Sequence, residues 1–157
     1  YIQRRSVEGE GPGAPPRLVG RSAGLGEAHR RWIRAADTFF VATANPGEGA
    51  DASHRGGAPG FISAEGDRLV WPDYAGNMMY NTLGNIAAHP RAGVVIPDFR
   101  TGAVLQLTGR ARILWDGGGM AGAERRVELE VEDVVEIAGL LPTAEAVEYS
   151  PFNPSQT

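Results

Sequence analysis

Seven consecutive residues, Arg126-Val127-Glu128-Leu129-Glu130-Val131-Glu132, alternate strictly between charged and apolar. Successive side chains of a strand point to opposite faces, so such a run forms a half-buried strand, with Val127, Leu129 and Val131 on a core. Glu128, Glu130 and Glu132 then share the opposite face. A chain carrying this strand must supply further strands to pair with it, and short β-branched or aromatic runs separated by turn residues recur along the sequence. Thr38 to Ala44, Phe61 to Ser63, Arg68 to Trp71, Ala92 to Ile96 and Val104 to Trp115 are the clearest. The last is long enough to bend at Gly109. Asn45-Pro46-Gly47-Glu48-Gly49, Glu65-Gly66-Asp67 and Arg100-Thr101-Gly102 are the turns between them.

Two segments depart from this period. Ala28, Trp32, Ile33 and Ala36 recur at helical spacing, with Arg30, Arg31 and Arg34 on the other face, which predicts an amphipathic helix over Glu27 to Ala36. A second helix is expected from Met78 to Ala88, stopped by His89-Pro90. Six strands with one helix before them and one inserted midway suggest a small, mostly antiparallel β-barrel. Residues 1–23, rich in Gly, Pro, Arg and Ser, read as an extended or partly mobile arm, residues 24–140 as the domain, and residues 141–157 as a tail or linker.

Charge is unevenly placed. Residues 1–34 hold seven arginines against three glutamates, whereas residues 116–157 hold two arginines against nine acids. The net charge of −4 and the lack of a basic, aromatic-studded face argue against nucleic acid, and the two oppositely charged ends are candidates to meet, within one chain or between two. No window approaches 18 apolar residues, so no membrane span is expected. All fifteen basic residues are arginine and there is no cysteine, which excludes a lysine Schiff base, a thiolate nucleophile and a zinc–thiolate site. No set of His and carboxylates has metal-ligand spacing, so no metal is expected. The expected location is cytoplasmic.

Chemistry concentrates in two polar, glycine-rich stretches that interrupt the apolar runs: Asp51 to Gly60, and Pro72 to Asn85. In the second, a strand ends at Pro72, the chain turns at Asp73 to Gly76, and Asn77 stands where a helix N-cap would fall. A helix opening there aims unpaired N–H groups and the positive end of its dipole outward, a seat for phosphate. Arg55 would add full charge and a planar fork, with Gly56 allowing close backbone approach. The competing reading of Arg55 is an ordinary ion pair, of Asn77 a plain cap, and of Tyr74 and Trp71 ordinary packing. His54 titrates near neutral pH, but no carboxylate or second histidine is spaced to form a catalytic set with it.

Several blocks in order, Ser53-His54-Arg55-Gly56-Gly57 with Pro59-Gly60-Phe61, Pro72 to Asn77 with Leu83-Gly84-Asn85-Ile86, Pro90-Arg91-Ala92-Gly93 and Leu107-Thr108-Gly109-Arg110-Ala111, resemble the pyridoxamine 5'-phosphate oxidase-like family of FMN-binding split barrels. The resemblance spans roughly Trp32 to Ile137. It implies a six-stranded antiparallel split barrel, homodimeric, with FMN at the subunit seam. Arg55, Asn77 and Asn81 would then be phosphate ligands, while Ser53 and Pro72, Asp73 and Tyr74 would border the ribityl chain and ring. Gln106 or Trp115 of one subunit would reach the other's cofactor. The chain departs from the oxidase proper in having Asn77-Met78 where a basic pair is expected and an acidic C-terminal region where that enzyme grips its substrate with basic residues. The implied function is therefore an FMN-dependent oxidoreductase acting on an unspecified small molecule with an unspecified electron donor. The alternative is a non-catalytic flavin-binding or dimerisation module of a larger redox protein. A start at Tyr1 and the tail Glu148 to Pro154, which resembles a junction to a ferredoxin-reductase-like module, motivate it. A deazaflavin or haem ligand is a further possibility within the fold.

Overall fold

In the computed structural model, residues 3–7, 15–74, 80–120 and 122–153 are described. Ten strands and two helices follow one another: β1 (Arg4–Val7), β2 (Arg17–Ser22), α1 (Glu27–Ala35), β3 (Thr38–Asn45), β4 (Gly49–Gly56), β5 (Ser63–Glu65), β6 (Arg68–Tyr74), α2 (Asn81–Ala88), β7 (Arg91–Asp98), β8 (Ala103–Leu114), β9 (Ala123–Ala138) and β10 (Ala144–Glu148). The main sheet is antiparallel and runs β4-β3-β7-β8-β9-β6-β5, with β2 also on β9. The mostly β, antiparallel split-barrel class is as expected, but the main sheet has eight strands where six were expected.

The extra strands of the main sheet are β2, from the N-terminal arm, and β4, which takes up much of the polar stretch Asp51 to Gly60, while the two ends add a ribbon of their own. Arg17–Ser22 joins the main sheet through β9, and β1 pairs with β10 in a separate two-stranded ribbon. The arm and tail thus contain regular strands that apolar periodicity could not reveal, because β2 is exposed throughout. Charge complementarity brings these ends together within one chain: Arg4 lies 3.8 Å from Glu148, and Arg21 makes a two-pronged bond to Asp133 at 2.8 and 2.9 Å. Each of these exposed pairs adds at most about 1 kcal/mol, so they guide pairing more than they hold it.

The strand read from strict alternation is the spine of the fold. β9 extends over sixteen residues and pairs with β2, β6 and β8. Val127, Leu129 and Val131 are buried as the pattern requires. Glu128 departs from it: it is buried beneath Arg112, which bonds it at 2.7 Å, and Arg68. The register of β8 on β9 shifts between Thr108 and Gly109, where a Cβ would collide with the Glu130 carbonyl oxygen. Gly109 therefore fits the bend because only a residue without a Cβ can sit there.

The core lies inside the curved sheet and under the helices. Phe39 stacks with Phe61 at 5.8 Å between ring centroids and meets Trp71 edge-on at 5.3 Å. Ile33 from α1 and Leu83 and Ile86 from α2 close it. Burying side chains of this size contributes about 1.5–3 kcal/mol each. Among the described residues no helix is long and apolar enough to cross a membrane.

Expected boundaries move in three places, the first being the strand read as Phe61 to Ser63, which is found as Ser63–Glu65. β6 runs through Pro72 to Tyr74 rather than stopping at the proline. Its partner β5 reaches only as far as Val70, so beyond that point β6 needs ladder bonds on the β9 side alone, and a proline is tolerated. The described second helix begins at Asn81 with Tyr80 at its N-cap, not Asn77. Asn77 and Met78 lie outside the described residues.

Candidate functional site

The alternation of β4 sets the site. Asp51, Ser53 and Arg55 share one face, opposite Thr43, Val41 and Phe39 of β3, all buried. His54 points to the other face, opposite the exposed Phe40. The first turn of α2 comes down onto the Asp51–Ser53–Arg55 face. Thr82 donates to Asp51 Oδ2 at 2.7 Å and lies 3.0 Å from Ser53 Oγ. Thr82 has one hydroxyl proton and gives it to Asp51, so Ser53 is the donor in the second bond. Further along the helix, Asn85 donates to Thr43 Oγ1 at 3.1 Å and fixes the helix against β3.

Arg55 reaches across to the end of β6. Its Nη1 donates to Asp73 Oδ1 at 2.9 Å, and the other oxygen of Asp73 faces Arg125 Nε at 3.2 Å. Asp73 and Arg125 are direct cross-strand partners on β6 and β9. The Asp73 carboxylate is 6% exposed and held between two guanidinium groups. Arg125 lies 5.0 Å from the centroid of the Tyr80 ring, at the N-cap of α2, and is also paired to the half-exposed Glu124. The contacts close a circuit: Ser53, Thr82, the start of α2, Tyr80, Arg125, Asp73, Arg55, and back along β4 to Ser53.

Within that circuit some donors are unspent. The Nε–H of Arg55 is buried and meets no acceptor among the described residues, and the N-cap residue of α2, Tyr80, makes no side-chain capping bond. A buried donor left unpaired costs about 1–3 kcal/mol, which an acceptor placed there would recover. The carboxylates work the other way. Beside the helix start, Asn45, Glu48, Asp51, Tyr80, Asn81 and Asn85 border an open cleft of about 590 Å³ whose charged lining is acidic. The Arg55 side of α2 thus holds the spare donors, whereas the Asp51 and Glu48 side opposes an anion.

Of the residues named from sequence, Ser53, Arg55 and Asp73 are thus joined in one network. Asn81 is the first residue of α2 and lines the acidic cleft. Gly56 is buried at the end of β4, and Pro72 and Tyr74 flank Asp73 on β6. Gln106 is elsewhere. It stands in a cross-strand row running His54, Phe40, Val95, Gln106 and Val135, on the sheet face opposite Ser53 and Arg55. Phe40 and Val95 are exposed on that row. His54 bonds Thr38 through Nε2, and burial, with Arg5 and Arg55 nearby, holds it below the ordinary imidazole range. Sequence reasoning did not find Thr82 or Arg125. Each carries no local motif, and only strand register and the docking of α2 bring them to Ser53 and Asp73. Among the described residues no group of three His, Asp or Glu converges as a metal site would require.

Comparison with known proteins supplies a context for this geometry. The sequence pattern of the family described as pyridoxamine 5'-phosphate oxidase matches residues 25–141. Among solved structures, the chain is similar to a putative pyridoxamine 5'-phosphate oxidase from Lactobacillus delbrueckii at 13% identity and TM-score 0.58, covering 74% of this chain and 97% of that one. It is similar to HupZ from Group A Streptococcus at 16% identity and TM-score 0.54, covering 78% and 98%. An FAD-binding protein from Mesorhizobium loti matches at 13% identity and TM-score 0.54, covering 78% and 97%. At these identities the likeness shows the fold. No curated protein sequence matches the chain.

Proposed function

The chain belongs to the pyridoxamine 5'-phosphate oxidase family, and from that premise we propose that it binds FMN and serves as an FMN-dependent oxidoreductase for a small molecule. The observation that carries the reading is the buried donor of Arg55, without an acceptor among the described residues, beside a helix start that Tyr80 does not cap, within a circuit of hydroxyls and a second arginine. A phosphomonoester can accept from those donors. Arg55 would grip it, Ser53 and Thr82 would turn their hydroxyls to it, and the first N–H groups of α2, from Asn81 onward, would complete the seat. Arg125 and Asp73 would hold Arg55 in place, with Pro72 and Tyr74 bordering the rest of the molecule. That a solved relative of the same fold is described as FAD-binding is compatible with a flavin ligand.

Once bound, the isoalloxazine supplies the two-electron redox chemistry, so no protein nucleophile is required. What the chain provides is phosphate grip, ring orientation and exclusion of water. Gln106 can approach a flavin held by Arg55 only from a second copy, because within one chain it faces away. The exposed Phe40 and Val95 beside it are suited to burial against that copy. We therefore assign the flavin to the seam of a homodimer.

The test is spectroscopic and then kinetic. Purified protein titrated with FMN is expected to quench flavin fluorescence to a one-per-chain end point, and to oxidise NADH or NADPH with oxygen as acceptor. Absence of binding rejects the cofactor assignment. Binding without turnover under any donor leaves a passive flavin module, the reading favoured by the lack of a catalytic set around His54.

A further inference from the structure

A second cleft, of about 550 Å³, lies on another part of the molecule, between the C-terminal half of α1, the end of β7 and the β1–β10 ribbon. Its volume is in the range that holds small ligands. Ala35, Pro97, Phe99, Ala144 and Val147 give it apolar walls. On its floor Asp37 is already committed: it is paired to Arg5, whose guanidinium sits 4.5 Å from the Phe99 ring centroid, and bonded by the Tyr149 hydroxyl. Burial first, and then Asp37, push the Tyr149 hydroxyl above its ordinary range, so it stays protonated and donating at neutral pH.

One uncommitted donor stands at the rim of this cleft, and another lies buried in its wall. The indole N–H of Trp32 is buried and meets no acceptor among the described residues. Arg31, exposed at the rim, makes no ion pair among them. Asp98 spends its oxygens on Thr101 and on the backbone of Arg100, 3.5 Å from the Arg100 guanidinium. Three arginines thus face two carboxylates, both of them occupied, and the cleft is left with a positive excess.

The geometry points to a second ligand site here, for a small planar apolar molecule bearing one anionic group, its body against Pro97, Phe99 and Val147 beside the Trp32 indole and its anionic group taken by Arg31. The site is separate from Arg55 and does not depend on the flavin reading.

The chain has three tryptophans, which makes a direct test available. In a nitrogen–proton correlation spectrum of the whole chain, naphthalene-2-sulfonate is titrated against its neutral counterpart 2-naphthalenemethanol, with Trp32→Phe assigning the Trp32 indole signal. The sulfonate is expected to move the Trp32 signal saturably while the core Trp71 signal stays still, reporting an intact fold. Arg31→Ala is expected to weaken binding by about two- to fivefold, the scale of one partly exposed charge contact. The same titration on FMN-loaded protein is expected to give the same affinity. Immobility of the Trp32 signal up to millimolar sulfonate, equal binding of the neutral compound, or no effect of Arg31→Ala would each overturn the proposal.

Discussion

Two arginine–carboxylate pairs of similar burial do different work in this molecule. Arg55 with Asp73 is 23% and 6% exposed, and Arg5 with Asp37 is 14% and 11% exposed. Asp37 is shared by one arginine and a neutral hydroxyl, and its arginine is covered by an aromatic ring, so that pair is electrically complete. Asp73 is shared by two arginines, Arg55 and Arg125, each of which keeps a buried Nε–H with no hydrogen-bond partner among the described residues, and Arg125 is paired to Glu124 as well. Burial alone cannot tell a structural ion pair from a site prepared for an anion. The donors that the arginines leave over can.

The sharpest way to break the comparison is to neutralise each carboxylate in turn. Asp73→Asn leaves two buried guanidinium groups facing one another and is expected to cost about 3–5 kcal/mol, the usual cost of breaking a buried pair. Asp37→Asn strands a single arginine that still has Phe99 and is expected to cost about 1–3 kcal/mol. Urea denaturation of both variants measures this, and equal losses would dissolve the distinction.

Asp51 sharpens it from the other side. It opposes an anion at the mouth of α2 while accepting the Thr82 proton, a bond that an asparagine oxygen can also accept. Asp51→Asn is expected to tighten FMN by about fivefold or less, in keeping with a partly exposed charge. Weaker binding would mean that the phosphate sits away from this strand.

The smallest effect is in pH. His54, on the opposite face of β4, has its protonation disfavoured by burial and then by Arg5 and Arg55. The unfolded chain therefore takes up a proton before the folded one does as pH falls. Stability should decline from about the ordinary value of 6.5 down to the depressed folded value, and level off below it. His54→Gln is expected to flatten that decline. A thermal-melting series that keeps the same slope in the variant would assign it to other groups.

Much of the fold was legible because period-2 alternation and turn residues are local. Val127, Leu129 and Val131, the turn at Gly66 and the bend at Gly109 all fall where local sequence dictates. The end strands were not legible, since β2 buries no side chain and β1 finds its partner 144 residues away, Arg4 opposite Glu148. The continuation of β6 through Pro72 depends on how far β5 extends, which no window of sequence contains. For the site, the polar stretches marked Ser53, Arg55 and Asp73. The competing reading of Arg55 as an ion pair is also realised, and it is Asp73 that makes the pair. Thr82 and Arg125 became visible only through tertiary contact. Asn77 lies outside the described residues, and the described helix has Tyr80 at its N-cap position.

The central claim is that Arg55 and the first turn of α2 hold the phosphate of a flavin mononucleotide. It is tested most directly by measuring FMN and riboflavin, which differ only in that phosphate, against the wild-type chain and Arg55→Ala. The account predicts that the wild type prefers FMN by at least about tenfold, and that the variant loses most of this preference while binding riboflavin nearly as before, since a charge-assisted contact is worth about 1.5–3 kcal/mol. An undiminished preference for FMN in the variant, or no preference in the wild type, would contradict it.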